Sequence, residues 1–420
     1  MTPLLFAFVA VVSASLFLKW LNLRHQEREG HEVPPELADV VDADRLARIA
    51  DYTRDRARFG IVSAVVRDIA TGIFLFGGLL GAYDRFVASI THSPVLSGTL
   101  FFVGLALASA VFGIPFALYA SFRIEARHGF NRMSPALFFA DWAKGTVLSL
   151  VFVAALAAAA LYLVALLPGS WWLFVWALIV VASVVITVLT PYVIEPLFFK
   201  MKPLHVQGLE AEVRALAEKA GVHVSRVLEV DASRRSSHSN AYFTGIGPVK
   251  RVVLFDTLFG HMAHGEILAI LAHELGHWKK HHVLLRSLFS YAVAFVALYL
   301  AFALAPSPEL PALVGLESAT LPARLLILGT LASVITFPLT PLSAYWSRRH
   351  EWQADAFAVE LHRSPLDLAN ALKKLASENL SNLHPHPLYA AFYYSHPPMP
   401  ERIRKLLGVQ AVAVNAPFHS

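Results

Sequence analysis

The stretch AILAHELGHWKKHH, Ala269 to His282, stands in a chain of 420 residues that is otherwise largely apolar. It places His273 and His277 four residues apart, with Glu274 between them. On a helix that spacing is an offset of about 40° and a rise of ~6 Å, so both rings leave the same face. Two imidazole nitrogens held this way reach one zinc ion at about 2.0–2.1 Å. Glu274 flanks the pair and need not bind the metal. It can take a proton from a water polarised there, which is the general-base role of the H-E-x-x-H pattern. The preceding Ile267, Leu268, Ile270 and Leu271 bury the helix and hold the pair rigid. The same residues also suit a basic helix end that snorkels to lipid headgroups. His281 and His282 are not needed as ligands and are assigned to that interface.

A catalytic zinc takes three protein ligands and keeps one position open. The stretch SRRHEWQADAFAVEL, from Ser347, offers the third. Glu351 and Asp355 are again four apart on a predicted helix. Glu351 can bind the metal, and Asp355 on the same face can hydrogen-bond the free nitrogen of a ligating histidine and fix its tautomer. Taken alone, the two carboxylates suit an ordinary exposed helix, with Glu351 pairing to Arg348. Beside a membrane-linked H-E-x-x-H the metal assignment is preferred.

Composition places that site at a membrane. Hydrophobic residues make up 56% of the chain and charged residues only 15%, against about 25% charged in soluble proteins. Seven apolar spans are predicted, at roughly 3–23, 61–83, 98–121, 145–167, 171–194, 287–305 and 324–346. The first is read as a retained anchor, because no small-residue cleavage site follows it and its positive charge lies after it. Basic residues crowd the loops after spans one (Arg45, Arg48, Arg54, Arg56, Arg58), three (Arg123, Arg127, Arg132), five and seven (Arg348, Arg349). The loops after spans two, four and six are nearly free of Lys and Arg. The positive-inside rule therefore puts the N-terminus outside and the C-terminus in the cytoplasm. The net charge of +5 belongs to those loops, and no nucleic-acid partner is expected. With no cysteine in the chain, a thiolate metal site, a cysteine nucleophile and a disulfide are all excluded.

Two segments remain outside the spans, 195–286 and 347–420. The first reads as a helix over Leu209–Ala220, a strand over Arg226–Asp231, and a second strand over Val249–Asp256. The stretch SRRSSHSNAYFTGIGPVKRVVLF is read as two strands, the second being that last one, joined by the Gly245–Pro248 turn. A further helix begins near Gly265. If it continued unbroken from His277 to Arg286 at the edge of span six, the eight residues between them would reach ~13 Å. The metal would then lie at the membrane surface, where a membrane-bound or lipidated substrate is within reach. Arg67 and Asp68 are expected near the start of span two. Trp171, Trp172 and Trp176 are read as an interfacial belt, the glycines near Gly77–Gly81 as close helix packing, and RIEARHGFNRMSP as a chamber lining or a plain loop.

Six motifs in order, IEARHGFNRMSP, IEPLFFKMKPL, HSNAYFTG, HELGHWKKHH, SRRHEWQADAFA and YYSHPPMPER, together resemble the type I CAAX prenyl proteases. The resemblance runs from about residue 30 to 407. It implies a mostly α integral-membrane protein in which seven transmembrane helices enclose a chamber and carry a cytoplasmic, zincin-like α+β metallopeptidase domain. The expected division is 1–205 for an N-terminal membrane domain of about five helices, and 206–420 for the peptidase domain, interrupted by two more helices. The resemblance implies one zinc per chain on His273, His277 and Glu351, with Glu274 as the base and Asp355 behind the ligands. It further implies that Asn240, Ala241 and Tyr242 belong to a strand that holds the peptide by strand addition. His396 and Arg402 would stabilise the substrate carbonyl or oxyanion.

The expected function is hydrolysis of membrane-associated or prenylated CAAX-type substrates in a bacterial inner membrane. The alternatives are a membrane-protein quality-control protease without prenyl specificity and, in another class, a metal-binding transporter. The transporter suits the sequence less well, since transport sites lie near the bilayer midplane and need no base beside the ligands.

Overall fold

A computed structural model describes residues 2–245 and 250–415. In chain order the helices are α1 Pro3–Glu29, α2 Ala43–Phe76, α3 Leu79–Ile90, α4 Pro94–Tyr119, α5 Pro135–Leu166, α6 Trp171–Leu189, α7 Glu195–Phe198, α8 Leu209–Lys219, α9 His264–Lys279, α10 His282–Leu304, α11 Leu321–Thr336, α12 Thr340–His362, α13 Pro365–Glu378, α14 Pro387–Tyr393 and α15 Met399–Asn415. The strands are β1 Met201–Pro203, β2 Val224–Val230, β3 Ala241–Thr244 and β4 Lys250–Phe255. Among the described residues seven helical stretches are long and apolar enough to cross a membrane. They are α1, α2, α4 with its extension to Glu125, α5, α6 with α7, α10, and α11 with α12. Their outer faces are large and apolar, as at Phe6, Ile69, Val147, Val181 and Phe289.

Local chemistry sets where these helices start. Ser93 and Ser134 cap α4 and α5 by accepting from the Leu96 and Leu137 amides, each with a proline at the first helical position. Proline costs nothing there, because its missing N–H would have no partner in the helix. Asp42 caps α2 in the same way, through the Arg45 amide at 2.7 Å.

Several boundaries differ from the sequence expectation. Span two ends at Phe76 rather than 83, because Gly77 closes α2 and Gly78 takes a left-handed φ of +85°, which a side chain would resist. Gly81 alone in that run serves close packing, against Leu316. Arg67 and Asp68 therefore lie well inside α2, and Arg67 donates back to the Ser63 carbonyl of its own helix. The tryptophans expected as an interfacial belt pack against one neighbouring helix. Trp171 meets Phe302, Trp172 meets Phe295 and Tyr299, and Trp176 donates to the Tyr291 carbonyl at 2.8 Å. They form a seam that joins α6 to α10. RIEARHGFNRMSP is tied down at its centre: Phe130 stacks on His238 at 4.0 Å and Asn131 pairs with Ser236.

Outside the spans, the strands form a sheet in the order β1-β2-β4-β3. β2 and β4 run parallel, and β1 and β3 pair antiparallel at the two edges. The Gly245–Pro248 turn expected between β3 and β4 falls partly outside the described residues. The helix α9 packs its apolar face (Ile267, Leu271, Leu275) into a core with Val252 and Leu254 of the sheet, Val213 of α8, Leu372 of α13 and Ile403 of α15. Leu37 and Val41, from between α1 and α2, and Ile49 of α2 belong to the same core. A second core around Leu4, Leu80, Phe101 and Ile327 ties α1, α3, α4 and α11 together.

Candidate metal centre

The helix α9 does not run on into α10. His281 has a left-handed φ of 55° and ends it, so the unbroken helix expected from His277 to the sixth span is absent. α12 does run unbroken from Thr340 past Glu351 and Asp355. α9 and α12 pack side by side, with Gly276 against Ala354. The glycine lets the two backbones approach closely enough for their side chains to meet.

At that crossing His273, His277 and Glu351 each turn one ligand atom to a common point, all within 4.8 Å of one another. His273 Nε2 lies 3.2 Å from His277 Nε2. The Glu351 carboxylate faces them at 3.3 Å and 3.4 Å. On the far side of its ring, His273 Nδ1 donates to Asp355 Oδ1 at 2.8 Å. A neutral His273 with its proton there presents a lone pair at Nε2. Among the described residues Glu351 Oε2 is buried without a hydrogen-bond partner. Two ring nitrogens and a carboxylate oxygen thus converge with no proton to share in the neutral state. Such a set suits a divalent cation.

The charges behind the site reinforce this. Arg402 is buried and binds Asp355 with two donors, Nε at 2.9 Å and Nη2 at 2.6 Å. Nη2 also lies 3.5 Å from His273 Nδ1, and Nη1 stands 4.0 Å from Glu351 Oε2. Burial pushes the His273 imidazolium down, but the Asp355 and Glu351 carboxylates at its two ring nitrogens outweigh this and hold its pKa up at about 9. Burial and the neighbouring His273 charge lower His277 to about 4. Glu274, one residue along α9, is half-buried. Burial holds its carboxyl above the ordinary carboxylate range, opposed by His273 and helped by Glu351.

The remaining candidates fall around this centre. His396 is exposed, with Nε2 3.4 Å from Glu351 Oε1. It lines a cavity of about 770 Å³ shared with Tyr52, Arg56, His238, Tyr389 and Tyr394. Asn240 is exposed just before β3 and accepts from the Phe255 amide. Ala241 and Tyr242 open β3, which among the described residues pairs only with β4. The sequence reading placed His282 at the lipid interface. The structure buries it at 2% exposure against His277, with Nδ1 3.0 Å from His277 Nδ1.

Residues 22–200 match the family described as CAAX prenyl protease N-terminal, five membrane helices, and residues 203–410 match Peptidase family M48. The chain belongs to the M48 peptidases of the CAAX prenyl protease type. This M48 peptidase is 33% identical over 90% of its length to the CAAX prenyl protease 1 homolog of Arabidopsis thaliana, covering 90% of that protein. It is 30% identical to the Homo sapiens CAAX prenyl protease 1 homolog, covering 96% of this chain and 95% of that one. The crystal structure of S. mikatae Ste24p superposes with a TM-score of 0.89 at 27% identity, over 97% of this chain and 99% of that one. The protein is an integral-membrane metalloendopeptidase, and the expected fold class holds.

Proposed function

We propose that this M48 peptidase is a zinc enzyme that cleaves prenylated, CAAX-type C-termini. The observation that carries the proposal is the convergence of His273, His277 and Glu351 beside a half-buried Glu274. Two imidazoles and one carboxylate with an open side favour zinc over magnesium or calcium, at one ion per chain. When bound, zinc polarises the scissile carbonyl and makes water acidic near neutral pH. Glu274 takes the proton from the attacking water and returns it to the leaving amine. Its raised pKa suits a group that must do both. His396, open to the cavity, donates to the carbonyl oxygen as charge develops there. Arg402 adds positive charge through Nη1 while fixing Asp355.

Asn240, Ala241 and Tyr242 lead β3, an edge strand among the described residues, where an extended substrate can add as a further strand. The names of the relatives supply the CAAX preference, and the cavity beside His396 is large enough to take an apolar chain. We assign 1–205 to the membrane domain and 206–420 to the peptidase domain. We place the N-terminus outside and the peptidase domain in the cytoplasm of a bacterial inner membrane, with no nucleic-acid partner.

The test is cleavage of a farnesylated CAAX peptide by the detergent-purified full chain, run beside Glu274→Gln, with bound zinc measured in both. Cleavage by the wild type only, with about one zinc in each, supports the assignment. Zinc without cleavage removes the prenyl substrate, and unprenylated membrane proteins become the substrate to try. No zinc in either removes the site.

A further inference from the structure

His277 differs from His273 in what stands behind it. His273 backs onto the Asp355 carboxylate, whereas His277 backs onto another histidine. The His277 Nδ1 to His282 Nδ1 distance is 3.0 Å, and His282 Nε2 lies 2.9 Å from Gln353 Oε1. An amide oxygen can only accept. His282 Nε2 must therefore carry the proton, so in the neutral ring Nδ1 has the lone pair. That lone pair accepts from His277 Nδ1, which must then hold a proton of its own. The His277 Nε2 lone pair is thereby left facing His273 and Glu351.

The His282 ring is also fixed in plane. His350 stacks on it at 4.1 Å and 5°, and Trp346 packs 5.1 Å from His350 on the same helix. The left-handed turn at His281 is what carries His282 back over His277. On an unbroken helix a residue five positions along would point about 140° away from His277.

We propose that His282 and Gln353 are positioning residues. They act as a two-step relay that sets the tautomer and ring orientation of His277, and so the metal affinity of the site. The proposal rests on the metal assignment made above. Outer partners of metal-bound histidines set affinity by about 10–100-fold. A histidine–amide pair does this without adding the negative charge that Asp355 brings to His273.

The experiment is zinc affinity by chelator competition in the detergent-purified full chain. The variants are His282→Leu, His282→Gln, Gln353→Leu and Gln353→Glu. His282→Leu keeps the volume and loses both bonds, so zinc should bind about 10–100-fold more weakly. His282→Gln can accept from His277 and donate to Gln353, and it should recover most of that loss. Gln353 is exposed, so its replacement leaves folding intact should His282→Leu fail to fold. Gln353→Leu should weaken binding, and Gln353→Glu, still an acceptor, should not. Equal affinity in the wild type and Gln353→Leu overturns the relay. So does a His282→Gln no better than His282→Leu. A wild type that binds no zinc removes the underlying site as well, which separates the two failures.

Discussion

A Cβ placed on Gly276 would stand 3.0 Å from the Cα of Ala354 and 3.1 Å from its carbonyl oxygen. The fourth residue of H-E-L-G-H is thus the contact across which α9 and α12 bring three ligands together. Even alanine would push the helices apart by a few tenths of an ångström. Gly276→Val should cost about 1–3 kcal/mol by overpacking and should weaken metal binding with it. Thermal unfolding and zinc titration of the variant check both; unchanged zinc affinity would mean that the helix spacing does not set the site.

Removing the base should separate binding from chemistry. Glu274→Gln leaves His273, His277 and Glu351 in place and should retain one metal per chain. Turnover should fall by about 10²–10⁴-fold, the usual weight of a general base. A variant that keeps near-normal turnover would transfer the role to another group.

Asp355 and Arg402 form a buried ion pair with two hydrogen bonds. Breaking it from either side leaves a charge uncompensated in the core. Asp355→Ala and Arg402→Ala should each cost about 3–5 kcal/mol, and the double variant less than their sum. Asp355→Asn keeps the shape but removes the carboxylate behind His273. It should lower metal affinity about 10–100-fold. Denaturant unfolding and chelator competition read the two effects independently.

The two ligand histidines should titrate in opposite senses in the metal-free protein. His273 is held up at about 9 and His277 down at about 4. At pH 7 the first is protonated and the second is not. Metal binding should then release close to one proton, from His273, and affinity should climb as pH rises toward 9. The raised pKa also means that the stability contributed by the His273 imidazolium is fully present below about 6.5 and is lost as pH rises through about 9. Titration calorimetry in buffers of different ionisation enthalpy counts the protons. A release near zero at pH 7 would mean that His273 is already neutral.

The membrane character, the two ligand-bearing helices and the order of the elements were legible because they rest on periodicity and spacing. H-E-x-x-H fixes its own geometry once it is helical, and Glu351 with Asp355 does the same. What escaped was set by single backbone conformations. His282 reads as an interfacial residue until the left-handed His281 turns it inward. Span two reads as running to residue 83 until Gly78 breaks it. Gly276 carries no signal of its own, since its use depends on a helix 78 residues later in the chain. The tryptophans make contacts that the sequence does not show, for a related reason. A belt and a helix–helix seam use the same residues, and only the position of α10 reveals the seam.

The contribution of Leu37, Val41 and Ile49 to the core beneath α9 has a consequence for how the enzyme is made. Lys373 of α13 pairs with Asp39 at 2.8 Å, and Arg404 of α15 pairs with Glu36. The loop between α1 and α2 must therefore wait for α13 and α15, some 334 residues further along the chain, before the core can close. Arg402 follows Asp355 by 47 residues in the chain, so Asp355 has no buried partner until that later segment has packed. The ligand residues therefore stand in a closed core only once the segment carrying Arg402 and Arg404 has packed against this loop.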